Sequence, residues 1–156
     1  MKNIVAGACI AGALVLPGLL HARPVVLTTQ LQAYGGNGAY LAFYITDGAG
    51  KYKKTLWVAG TKVKYYKHMS DWARGSRLNP SEFDGLSGAS VGSGKSLKVT
   101  VEVADTLIDA GYEIRVDSAV EDGRDNPGDA RVPLTKQGVG KAVKGRGYIK
   151  SFTYDM

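Results

Sequence analysis

Residues 97–104 read Leu97-Lys98-Val99-Thr100-Val101-Glu102-Val103-Ala104, and this stretch decides the fold class. Leu97, Val99, Val101 and Val103 fall on one face of an extended chain, and Lys98, Thr100, Glu102 and Ala104 on the other. Period-two alternation is the pattern of a strand with one face on a core and one in water, as antiparallel sheets allow. Five further runs rich in β-branched and aromatic residues extend it: Val25 to Gln32, Tyr40 to Thr46, Thr55 to Ala59, Tyr112 to Val120 and Tyr148 to Tyr154. Residues 47–51 (DGAGK) have the composition of a hairpin loop and 122–128 (DGRDNPG) that of a longer turn. These signals predict an all-β fold, mainly an antiparallel β-sandwich of immunoglobulin-like kind.

One short α-helix is the expected exception. Between Thr61 and Arg74, Tyr65, Met69 and Trp72 recur at helical spacing, and Gly75 closes the segment. The stripe reads as packing onto the sheet. The glycine-rich stretch 138–147 (GVGKAVKGRG) reads as a mobile connection.

The chain has 156 residues, 20 basic and 14 acidic side chains, two His and one Cys, which suits a single core. Lys2, the uncharged apolar run from Ile4 to Leu16, the Pro17-Gly18 break and Ala22 follow the order of a cleavable secretory signal peptide over residues 1–22. The expected exported chain is a single domain, 23–156. Cys9 and His21 fall within the leader, leaving His68 as the sole imidazole and no thiol. That excludes disulfide frameworks, Cys/His zinc sites, iron–sulfur clusters and cysteine nucleophiles. No Ser/His/Asp set is visible either, so a hydrolase has no support.

Charge is unevenly placed. Residues 51–77 carry eight Lys/Arg against Asp71 alone, whereas 102–129 carry nine acids against Arg115 and Arg124. Basic residues interleaved with Tyr52, Trp57, Tyr65, Tyr66 and Trp72 have the composition of a nucleic-acid face. Export argues against nucleic acid and leaves a solvated face, or contact with an anionic cofactor or membrane surface. Glu121, Asp122, Asp125 and Asp129 lie close in sequence, but without the spacing of an EF-hand.

Residues 79–95 (NPSEFDGLSGASVGSGK) show little periodicity, and a loop this long in a compact domain is usually functional or disordered. Within it, Asp84-Gly85-Leu86-Ser87-Gly88-Ala89-Ser90 resembles the attachment motif recognised by the FAD:protein FMN transferase, Asp-x-x-Ser/Thr-Gly-Ala-Ser/Thr. The same motif serves FMN-binding subunits of the sodium-pumping NADH:quinone reductase. The resemblance implies that Ser90 carries FMN through a phosphoester, and that Asp84, Ser87, Gly88 and Ala89 complete the cofactor-binding set with it. Many targets of the transferase end in Thr, where this chain has Ser90; either hydroxyl can form the ester. Small residues before the hydroxyl keep the approach open to a bulky pyrophosphate. Asp84 is suited to the transferase's metal or to capping the loop, and Ser87 to bonding nearby backbone. Gly94-Lys95-Ser96 resembles the end of a P-loop, but the first glycine of that pattern falls on Ala89 and a strand follows. Lys95 is then a loop cation, available to an FMN phosphate.

Over most of the exported chain the order of features is similar to a bacterial periplasmic family, domain of unknown function 2271. The likeness rests on Tyr40 to Asp47 running into Gly50-Lys51, on Lys54-Thr55-Leu56 and Gly60, on the segment ending at Trp72, on the Asp84 to Ser90 motif and on Gly111-Tyr112-Glu113-Ile114. It implies a periplasmic, flavinylated electron carrier, not itself an enzyme, that partners a PepSY-type membrane redox protein. Trp72, Tyr65 and Tyr66 are then candidates to stack near the flavin ring. Two other classes stand beside it: a flavin-free secreted sandwich that contacts an anionic partner, and a carbohydrate- or metal-binding accessory protein built on the acidic turn.

Overall fold

The computed structural model describes residues 21–156, so the leader, apart from His21 and Ala22, lies outside the described residues. The strands are β1 (Ala22–Leu31), β2 (Ala39–Thr46), β3 (Tyr52–Ala59), β4 (Ser87–Gly88), β5 (Ser96–Ala104), β6 (Glu113–Val120), β7 (Asp125–Pro133) and β8 (Ile149–Asp155). They form a three-stranded sheet in the order β5-β1-β8 and a five-stranded sheet in the order β4-β3-β2-β6-β7. Neighbours pair antiparallel except β3 and β4, which run parallel through Val58–Ser87 and Ala59–Gly88. The fold is therefore mostly β, in two sheets, as the alternation predicts.

The two sheets share one apolar cluster. Val25, Leu27 and Leu31 of β1, with Val101 and Val103 of β5 and Phe152 and Tyr154 of β8, belong to the same core as Leu41, Phe43, Ile45, Ile114 and Val116 of the larger sheet. β5 obeys its pattern: Val101 and Val103 are buried, Leu97 and Val99 half-buried, and Lys98, Thr100 and Glu102 exposed. β7 is a strand where the sequence suggests only a turn over 122–128. Pro127 has no N–H to give to a ladder, and β7 lies at a sheet edge, where that lack is tolerated.

The expected single helix over 61–74 is instead two pieces. A 3₁₀ turn spans Val63–His68 and α1 spans Ser70–Ser76, with Met69 between them at φ −86° and ψ 72°. Three residues per turn sets the buried stripe at Tyr66, Met69 and Trp72, and Tyr65 is left half-buried. Gly75 lies inside α1, and Arg77, at φ 56°, ends it. These side chains pack with Phe83 on the outward face of β2, around Ala42, Tyr44 and Val58, as a second apolar layer. The Tyr66 ring stands edge-on to Trp72 at 5.4 Å and to Phe83 at 5.1 Å. β2 is thus covered on both faces, which accounts for its unbroken run Leu41-Ala42-Phe43-Tyr44-Ile45.

Two buried carboxylates tie the layers together. Asp117 of β6 accepts Tyr44 Oη–H at 2.7 Å, the Trp72 backbone N–H at 2.8 Å and the Gly128 N–H at 2.7 Å. Trp72 N–H is one of the unpaired donors of the first turn of α1, so Asp117 caps that helix from another strand. Asp129 of β7 accepts the Ser118 hydroxyl at 2.5 Å and the N–H groups of Arg146, Gly147 and Ile149 at 2.8, 2.8 and 3.2 Å. The segment 138–147, expected to be mobile, is therefore tied down, helped by Gly140 N–H on Tyr154 O and by paired bonds between Val143 and Phe152.

Asp117→Ala strands three buried donors and should cost on the order of 3 kcal/mol in chemical denaturation. Burial raises the Asp117 carboxyl above its ordinary 3.8, against the pull of the Gly128, Trp72 and Tyr44 donors. A raised acid pKa means that this group's favourable contribution is present below pH 3.8 and is lost as pH climbs through the raised value. The stability of the wild type relative to Asp117→Asn should accordingly fall as pH rises from 3.8 towards neutrality. A flat or rising difference would contradict that assignment.

Candidate functional site

The segment from Asn79 to Val91 is built by successive anchors. Asn79 accepts Ser81 N–H through its side chain at 3.2 Å and starts a 3₁₀ turn over Pro80–Glu82. Phe83 then inserts into the outer apolar layer. Gly85 supplies the φ of +77° that turns the chain back, and Leu86 N–H closes the turn on Phe83 O at 2.9 Å. Val58 N–H bonds Leu86 O at 2.8 Å and Gly60 N–H bonds Gly88 O at 2.7 Å, fastening β4 along β3. Beyond it, Val91 and Ala39 exchange two backbone bonds at 2.6 and 3.0 Å. Ala89 and Ser90 are an exposed two-residue step between these anchors.

Small residues beneath the step are required by contact. A Cβ on Gly38 would sit 2.8 Å from Ser90 Oγ, and one on Gly88 would sit 2.8 Å from Cζ2 of Trp57. Gly88 is thus demanded by the indole.

Ser90 and Ala89 help line a cleft of about 660 Å³. One side is formed by Lys62, which precedes the 3₁₀ segment, with Tyr65 and His68 of that segment, the other by Glu121 and Asp122 of the β6–β7 turn and Asp125 at the start of β7, with Gly38 and Tyr40 also in the lining. The sides are clasped together. Tyr65 Oη–H donates to Glu121 Oε1 at 2.7 Å, and His68 Nδ1 lies 3.1 Å from Asp125 Oδ2. The Glu121 hydrogen bond, then burial, raise the Tyr65 phenol above its usual value. Tyr40 stands edge-on to Tyr65 with ring centroids 5.5 Å apart, and its Oη accepts Lys62 N–H at 3.2 Å. Gly60, at φ +109°, makes this possible, since a Cβ there would fall 2.3 Å from the Tyr40 ring.

Of the motif residues, the cleft lining contains Ala89 and Ser90; Asp84, Ser87 and Gly88 flank it from outside. Asp84 is exposed, with its N–H on Pro80 O at 2.8 Å. Ser87 is exposed, and its side chain lowers the pKa of the Tyr66 phenol against the larger upward push of burial. Of the candidate stacking residues Tyr65 lines the cleft, while Tyr66 and Trp72 are core of the outer layer. Lys95 lies outside the lining, next to the start of β5. The acidic turn divides: Glu121, Asp122 and Asp125 face the cleft and Asp129 faces the interior. Among the described residues no three His, Cys, Asp or Glu side chains gather as metal ligands. Gly38, Tyr40 and Lys62 carry no local motif. Tyr40 had one signal, its place on the outward-facing parity of β2 with Ala42 and Tyr44.

No curated protein and no solved structure matches the chain. Among the described residues no helix is long and apolar enough to cross a membrane. A family model described as a predicted periplasmic protein matches residues 22–151, which takes in β1 to β7, the start of β8, the helical layer and the Ser90 step. The chain therefore belongs to the family of predicted periplasmic proteins called domain of unknown function 2271.

Proposed function

We propose that this protein is a periplasmic electron carrier bearing FMN on Ser90 through a phosphoester, loaded by an FAD:protein FMN transferase and serving a PepSY-type membrane redox protein. The observation that supports the reading most is the setting of Ser90: an exposed hydroxyl on a firmly held step, opening into a cleft with two tyrosines. The fit to FMN is reasonable in size, because small-molecule and cofactor sites run to roughly 300–1,000 Å³ and this cleft is about 660 Å³. Tyr40 and Tyr65 are the residues to flank the ring, and Lys62 is the cation available to the phosphate. When bound, FMN supplies one- and two-electron chemistry, while the protein orients it and tunes its surroundings.

Attachment asks little of this chain beyond presentation. Ser90 Oγ bonds to the phosphorus of the FMN half of FAD as the pyrophosphate linkage breaks. AMP departs with the bridging oxygen, and the hydroxyl proton passes to a base of the transferase. Asp84 and Ser87, outside the cleft lining, are then available to the transferase. The frame supports an immunoglobulin-like reading in permuted form. β1 with β5 and β3-β2-β6-β7 take the places of strands B with E and C′-C-F-G, and the C-terminal β8 lies beside β1 where such domains have their first strand.

Coexpression with the transferase should give a yellow protein with one FMN, and Ser90→Ala should abolish the label without unfolding the domain. An unlabelled wild type, in cells where another acceptor is modified, would overturn the reading. Tyr65→Ala should leave the label in place and brighten native flavin fluorescence by removing an aromatic contact. Unchanged fluorescence would place the ring elsewhere.

A further inference from the structure

We infer that the knuckle at residues 61–67 seats the domain reversibly on an anionic phospholipid surface, with the mouth of the Ser90 cleft towards the bilayer. Among the described residues the exposed large hydrophobic side chain is Val63, at 52%. Exposed Lys62, Lys64 and Lys67 surround it in sequence, and residues 61–70 contain no acid. The knuckle is rigidly held, because Tyr66 is buried with its Oη–H on Gly60 O at 2.9 Å and Tyr65 N–H closes on Lys62 O at 3.0 Å. Val63 is therefore kept in water at a fixed place when its neighbours Tyr66 and Met69 find a core.

An aliphatic tip among lysines suits a lipid headgroup layer. The tip enters the acyl boundary, and the ammonium groups reach phosphates while their stems cover apolar surface. Lys64 Nζ already rests 4.9 Å over the Tyr65 ring. A folded acidic partner fits less well. Protein interfaces bury roughly 800 Å² per partner around a core poor in lysine, and one valine on a single turn cannot supply such a core. Lys62 and Tyr65 also line the cleft, so seating the knuckle turns the cleft mouth to the membrane. Glu121, Asp122 and Asp125 on the opposite side are repelled by anionic lipid, which fixes the tilt with the basic side leading.

Flotation of the exported protein with equimolar phosphatidylglycerol/phosphatidylcholine vesicles, against pure phosphatidylcholine, tests this. Binding should require phosphatidylglycerol and weaken with salt. Replacing Lys62, Lys64 and Lys67 by Gln should weaken it on the order of a hundredfold, and Val63→Ser roughly fivefold. Lys98→Gln, Lys144→Gln and Lys150→Gln together remove the same charge away from the knuckle and should have a much smaller effect. Equal losses in the two triple variants would reduce the effect to net charge and overturn the proposal, as would absence of binding at low salt or preference for an acidic protein over the vesicles. Ser90→Ala should bind vesicles like the wild type, so failure of the flavin reading and failure of this one are told apart.

Discussion

The arrangement depends on one buried carboxylate. Asp117 reaches from β6 to the first turn of α1 through Trp72 N–H, to β2 through Tyr44 and to β7 through Gly128. Seven residues of helix have no independent stability, so α1 persists through its cap and through the packing of Trp72. The 3₁₀ segment joined to α1 provides one side of the cleft and the β6–β7 turn the other. A single ionisable group therefore braces both. Its raised pKa reflects incomplete repayment of the desolvation by those three donors.

Much of the two-sheet frame was legible because it rests on pairwise periodicity. The alternation from Leu97 to Val103 is a direct image of one buried face, and the double burial of β2 is written in its unbroken apolar run. The helical layer was legible only in part. Tyr65, Met69 and Trp72 match an α-helical period, but the break at Met69 and the tighter winding before it move burial to Tyr66. Nothing local marks that choice; it follows from which tyrosine meets Phe83 and Trp72. β7 was hidden by Asp-Asn-Pro-Gly, a turn sequence that an edge strand tolerates. The glycine-rich stretch looked loose because its restraint comes from Asp129, remote in sequence.

The site was divided in the same way. The motif from Asp84 to Ser90 is contiguous and readable, and its glycine and alanine already announce an accessible hydroxyl. What lies around that hydroxyl is assembled from three separate regions. Gly38 and Tyr40 come from the entry to β2, Lys62 and Tyr65 from the cap and body of the 3₁₀ segment, and Glu121 and Asp125 from the acidic stretch that runs from the end of β6 into β7. Only three-dimensional packing joins them. Gly60 shows how far such a requirement travels, as a backbone position that is glycine for the sake of the Tyr40 ring.

The function proposed rests on what Ser90 carries in its own cell envelope. Intact-mass spectrometry of the native protein, followed by fragmentation of the peptide containing Ser87 and Ser90, addresses this most directly. The expected result is the added mass of one FMN phosphoester, located on Ser90. An unmodified mass from cells in which the transferase is active on another protein, or a label on Ser87, would contradict the account.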